Sequence, residues 1–211
     1  MKKIIMLLLP AILSVSALVS PALAQDDEFS LAVKWAADNR IISADENGGL
    51  EAPDNTATRA EAAAMLARMK GFEGAAGGIS YIDVKESDWF YADVCSASAA
   101  GLMTGDGDNF RPYDSVTREE AVVIAGRAFG LETEAIGDTV FTDSAEISDW
   151  AEAYVFTAAE LGIVNGSDTG AFMPREQIKR RDLLLILYRC SRVNAAEVII
   201  DDDGSVWTPL Y

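Results

Sequence analysis

Histidine is absent from the 211 residues, and 17 lysines and arginines face 34 aspartates and glutamates, a formal charge of −17. Without imidazole there is no Ser-His-Asp relay and no histidine metal site. Without clustered positive charge there is no groove that displaces counterions from nucleic acid. Long apolar runs are also missing after the first two dozen residues: the stretch Leu183 to Leu187 is far too short to span a bilayer, so no transmembrane segment is expected beyond the N-terminal leader. What is present is a globular composition, half apolar and 9% aromatic, long enough to bury a core in one or two domains.

The leader, residues 1–24, reads as an export signal. Lys2 and Lys3 precede an apolar run from Ile4 to about Val19, Pro10 interrupts it, and Ala22-Leu23-Ala24 places small residues where a signal peptidase cuts. Cleavage would start the exported protein at Gln25. No cysteine follows the run to carry a lipid anchor.

Self-comparison shows a period of about 61 residues. Tyr81-Ile82-Asp83 pairs with Phe141-Thr142-Asp143, Ser87-Asp88-Trp89 with Ser148-Asp149-Trp150, and Ala100-Gly101-Leu102 with Leu161-Gly162-Ile163. Gly105 then pairs with Gly166, Phe110-Arg111-Pro112 with Phe172-Met173-Pro174, and Arg118 with Arg180. A weaker, truncated copy precedes them. Arg40-Ile41-Ile42 stands where Gly101-Leu102-Met103 stands, Pro53 matches Pro112, and Thr58-Arg59-Ala60-Glu61 matches Thr117-Arg118-Glu119-Glu120, whereas the counterpart of Trp89 falls near Glu28. In that first copy Phe29 or Trp35 stands in for the missing front end. The expected units are 25–73 (truncated), 79–132 and 139–192, followed by a tail, 193–211.

Each unit reads as helix, loop, helix. Ser87 or Asp88 is placed to cap a first helix from Trp89, closed by Gly101. Thr58 with Glu61, and Thr117 with Glu120, fit the reciprocal capping box of a second helix. Second helices are expected from Arg59 to Lys70, Arg118 to Phe129 and Arg180 to about Arg192. Short extended pieces are expected near Tyr81, Phe110, Phe141 and Phe172, and a hairpin or a partly ordered terminus in the tail. Two-helix units cannot bury their apolar faces singly, so the predicted class is all-α, with three units stacked on a common core.

Aromatic-x-Asp, Trp, Gly-Leu or Gly-Ile, a glycine turn, Phe-x-Pro and Thr-Arg-Ala-Glu, in that order and at this period, resemble the S-layer homology domain over roughly Phe29 to Arg192. The resemblance implies a three-lobed helical bundle without cofactor or catalytic residues. It also implies non-covalent attachment of a secreted, cell-surface protein to cell-wall polysaccharide, commonly one bearing pyruvate ketals. The implied ligand-binding residues lie in grooves between repeats: Arg59, Arg118 and Arg180, Trp89 and Trp150, Gly105, Gly107 and Gly166, and Asp83 and Asp143, the last two with a structural alternative as turn-holding groups. An arginine in an exposed first helical turn, beside free backbone N–H groups, makes a small anion site, and its planar fork suits a carboxylate. Tryptophan offers a face to a sugar ring, and glycine lets backbone donors approach a ligand. A strongly acidic protein repels an anionic polymer only weakly beyond a Debye length of about 8 Å, so a contacting arginine prevails.

Departures from the pattern predict unequal grooves, since the third copy reads Lys179-Arg180-Arg181-Asp182 and has lost its threonine. The bland alternatives are core packing for the two tryptophans and simple capping for Thr58, Glu61, Thr117 and Glu120. An EF-hand in the acidic loop is excluded: with Asp106 as first ligand, Arg111 falls where glycine belongs and Thr117 where glutamate belongs. Cys95 and Cys190 align with apolar residues and read as buried thiols, though export also permits a disulfide. The competing functions are a protein-interaction or surface-assembly module and, less favoured, a glycan-active enzyme using paired carboxylates.

Overall fold

The structure, a computed structural model, describes residues 21–43, 45–46, 48–72, 80–131, 133, 141–195, 199–200 and 206–207. The leader, apart from its last four residues, lies outside them. The described residues are all-α: α1 (Pro21–Asp38), α2 (Arg59–Met69), α3 (Tyr91–Ala99), α4 (Arg118–Phe129), α5 (Asp149–Glu160) and α6 (Arg180–Ala195). Ile199–Ile200 and Val206–Trp207 form a two-residue antiparallel pair, β1 and β2, after the last helix. The segments near Tyr81, Phe110, Phe141 and Phe172 form no strand; only isolated bridges such as Asp106 with Asn109 and Thr58 with Ser115 occur among the described residues outside β1 and β2.

Local chemistry sets the helix ends. Glu61 N–H donates to Thr58 Oγ1 (3.3 Å) while Thr58 N–H donates to Glu61 Oε2 (2.9 Å), and Thr117 with Glu120 repeats the exchange at 3.3 and 2.8 Å. These boxes start α2 and α4. Ahead of α6 the threonine is replaced by Lys179, and the N–H groups of Asp182 and Leu183 turn to its backbone carbonyl. Just past α1, α3 and α5 come Arg40, Gly101 and Gly162, with φ of 58°, 70° and 68°. Arg40 thus adopts a left-handed conformation that glycine takes without strain, as its alignment with Gly101 requires.

The first helix of the middle unit starts later than expected. Trp89 and Phe90 are still in turn conformation, because Asp88 Oδ2 is occupied by Lys85 N–H (2.8 Å) and no side chain caps α3. In the third unit Ser148 is the N-cap of α5, yet its hydroxyl donates to Glu119 Oε1 (3.0 Å) instead of serving the helix. In the first unit α1 packs on α6 as α3 packs on α2 and α5 on α4, with the Phe29 ring 4.7 Å from the Arg181 guanidinium and Trp35 5.6 Å from Tyr188.

Packing closes the chain on itself. α3 packs on α2, α5 on α4, α1 on α6, and α4 on α6. The residues just before the three capping positions form a ring of backbone hydrogen bonds: Val116 N–H to Ala57 O (3.0 Å), Ile178 N–H to Val116 O (2.9 Å) and Ala57 N–H to Ile178 O (2.9 Å). All three residues are fully buried, so polar backbone groups at the molecular centre satisfy one another. Phe90, Phe110 and Phe172 are the largest fully buried side chains. Cys95 and Cys190 are buried and not joined in a disulfide, with burial pushing the Cys190 thiol up to about 12.

Candidate functional site

The second helices determine what the site is made of. Their first-turn N–H groups are not free, contrary to expectation. Arg59 and Ala60 donate to Asp114 O and Pro112 O, Arg118 and Glu119 to Glu176 O and Pro174 O, and Arg180 and Arg181 to Asn55 O and Pro53 O, all at 2.9 to 3.0 Å. Each helix start is therefore plugged by the proline loop of the following unit, the third by the first, and no backbone anion site remains there.

The arginine side chains follow the same cyclic order. Arg59 Nε–H donates to Phe110 O (2.8 Å) and Nη2 to Thr104 O (2.7 Å), with its guanidinium 4.8 Å from the Phe110 ring centre. Arg118 repeats this on the next unit, bonding Phe172 O at 2.9 Å and Asn165 O at 3.5 Å, 5.2 Å from the Phe172 ring. Arg59 is only 6% exposed, which corrects the expectation of an exposed first-turn side chain. Burial lowers its affinity for a proton, countered by Glu120 at 4.0 Å. Arg180 meets Glu61 at 3.4 Å, but its Nε has no hydrogen-bond partner among the described residues.

Three grooves result, one against each loop. The first, about 210 Å³, is lined by Arg180, Arg68, Trp89, Ile41 and Met65. The second, about 270 Å³, is lined by Arg59, Arg127, Trp150, Met103, Gly105 and Ile124. The third, about 540 Å³, is lined by Arg118, Arg189, Glu28, Val164, Gly166 and Ile186. Trp89 and Trp150 are 61% and 52% exposed, so they are groove walls rather than core.

Several expected residues do other work. Asp83 accepts from Phe110 N–H (2.8 Å) and Arg111 N–H (2.7 Å), and Asp143 from Phe172 and Met173 N–H (both 2.7 Å). Desolvation would raise the Asp143 pKa, but these two donors, with its own backbone N–H and the Arg118 charge, outweigh it and hold it below the ordinary range. These aspartates staple the loops whose carbonyls the arginines take, and neither lines a groove. Gly105 lines the second groove, but its own N–H donates to the Tyr81 hydroxyl (3.2 Å), and a Cβ there would lie 2.4 Å from Asn109 O. Gly107, with φ 60°, shapes the turn outside the groove linings.

Sequence reasoning overlooked a second ring of arginines. Arg68, Arg127 and Arg189 each follow Arg59, Arg118 and Arg180 by nine positions, which is about two and a half helical turns, so the two arginines of one helix face opposite sides. Every groove therefore receives an early arginine from one helix and a late one from the next. Their common register was already visible in the self-alignment. Glu119, 5% exposed, was also missed; it holds the start of α5 through Ser148 N–H (2.9 Å).

Helix pairs closed by hydrogen bonds from the last unit to the first leave a groove beside each loop, with at least two arginines in every one, a tryptophan wall in two of them, and balancing acids in the first (Glu51, Glu61) and third (Glu28, Asp182). The family model of the S-layer homology domain matches residues 80–122 and 140–184, and the chain belongs to that family. It is 42% identical over 140 residues to an amylopullulanase of Thermoanaerobacterium thermosulfurigenes (64% of this chain, 8% of that protein). It is 32% identical over 163 residues to the surface-layer 125 kDa protein of Lysinibacillus sphaericus (75% of this chain, 14% of that protein). A cellulosome-anchoring protein of Acetivibrio thermocellus is 30% identical over 149 residues (67% of this chain, 33% of that protein). The chain thus spans a third or less of these relatives, and the matched part is the repeat region.

Proposed function

We propose that this chain attaches non-covalently to a cell-wall polysaccharide carrying acidic groups, pyruvate ketals being the candidate, through the grooves between its repeats. Its place is the cell surface, in keeping with its family, and no helix among the described residues is long and apolar enough to cross a membrane. The observation that carries the reading is the recurrence, in two grooves, of an exposed tryptophan beside two arginines from different helices. The indole face stacks on a sugar ring, and the cationic side takes a ring-linked carboxylate by charge-assisted hydrogen bonds. Gly105 and Gly166 keep the loop wall low, and Arg59, Arg118 and Arg180 supply positive potential while bracing the loops. The relatives with enzymatic names match this chain over a small share of their length, so their catalysis is not carried over.

Co-sedimentation with purified cell-wall sacculi tests the reading. Binding is expected to intact sacculi and to disappear when the non-peptidoglycan polymer, or its ketal groups, is removed. Equal binding to bare peptidoglycan would assign the grooves to another wall ligand.

A further inference from the structure

The position occupied by Trp150 in the second groove and Trp89 in the first is occupied by Glu28 in the third, as the repeat register requires. The substitution changes the chemistry of that groove. Glu28 Oε1 accepts from Arg189 Nε–H at 2.8 Å and Oε2 from Nη2–H at 2.6 Å, a two-pronged pair, while Arg189 Nη1–H donates to Ile163 O at 3.0 Å. The fork that faces a ligand is thus already closed on a carboxylate of the same chain. The other late arginines differ. The Arg68 side chain makes one ion pair, with Asp93 Oδ2 at 3.2 Å, and the Arg127 side chain is exposed with no ion pair or hydrogen bond among the described residues. The third groove has the greatest volume of the three and no aromatic residue in its lining, so it offers a sugar no flat wall.

We propose that Glu28 is a built-in occupant of the third groove: its carboxylate holds the place on Arg189 that an acidic sugar substituent takes on Arg127, so the residue at positions 28, 89 and 150 decides which grooves bind. The inference rests on the carbohydrate reading of the grooves. It assigns Glu28 as the residue that silences one site, and Arg127 as the carboxylate-binding residue of the second groove. A bidentate arginine–carboxylate pair is geometrically specific, and an external carboxylate must displace it and also meet the cost of ordering itself.

Isothermal titration of the full chain with the 4,6-pyruvate ketal of a methyl hexopyranoside is the test, on native protein and on Glu28→Trp and Glu28→Gln, each checked for folding by circular dichroism. The native chain is expected to bind the probe in the first and second grooves, and Arg127→Ala to weaken the second site at least tenfold while the first persists. Glu28→Trp is expected to add one probe site per chain and Glu28→Gln a weaker one, the added site vanishing when Arg189→Ala is introduced. An added site in either variant supports the proposal. Native binding with an unchanged number of sites in both variants overturns it and leaves the carbohydrate reading intact. No binding to the native chain defeats the acidic-sugar reading and this inference together.

Discussion

Arg59 shows how a single residue can be legible in position and illegible in role. Its place in Thr58-Arg59-Ala60-Glu61 is plain in the sequence, but the carbonyls that its Nε and Nη2 engage lie 51 and 45 positions away. No local pattern reports such partners. Arg59→Ala would strand the buried carbonyl of Phe110, so about 2 to 3 kcal/mol of stability should be lost, read as a lower urea midpoint at unchanged slope. A loss under about 0.5 kcal/mol would mean that the arginine braces nothing. Glu28 carries a pH signature. Its hydrogen bonds to Arg189, opposed by desolvation and reinforced by the guanidinium charge, lower its pKa in the folded state. A depressed carboxylate contributes stability that is complete above its unfolded pKa and is lost as pH falls through the folded value. Glu28→Gln should therefore flatten the acid limb of the stability curve, below the ordinary carboxylate range, and leave the neutral region with a constant offset; an unchanged acid limb would contradict the pairing.

At the scale of the helix, the second helices were readable because capping boxes are local chemistry, and α4 runs over the expected residues. The first helices were less so. Ser-Asp-Trp looks like a helix start in both full copies, yet Asp88 is diverted to Lys85 N–H and Ser148 to Glu119, choices settled by tertiary neighbours. Thr117→Ala should cost about 1 kcal/mol through loss of the cap, with binding to sacculi preserved. Glu119→Ala should cost more, about 1.5 to 3 kcal/mol, because it leaves Ser148 N–H at the start of α5 without its charged acceptor. Thermal or urea unfolding of the two variants side by side checks the order; a Glu119 variant as stable as the Thr117 variant would show that the tie between α4 and α5 carries little.

For the molecule as a whole, the period of about 61 residues led to the expectation of three stacked units, while the hydrogen bonds from the last second helix to the first loop had to be seen. The ring through Ala57, Val116 and Ile178 and the plugging of each helix start by the next loop join the last unit to the first. They also occupy the first-turn N–H groups that the sequence suggested as an anion site, so the recognition proposed above falls to side chains between units. Trp89 and Trp150 were legible as groove candidates from their recurrence; the late arginines shared that recurrence but lay outside the familiar motif. The most direct test of recognition between units is the affinity of a Trp89→Ala, Trp150→Ala double variant for intact sacculi. Both side chains are largely exposed, so the unfolding midpoint should hold within what surface changes allow, about 0.5 kcal/mol each, while the dissociation constant rises at least about tenfold. A folded double variant that binds sacculi as tightly as the native chain would contradict the account.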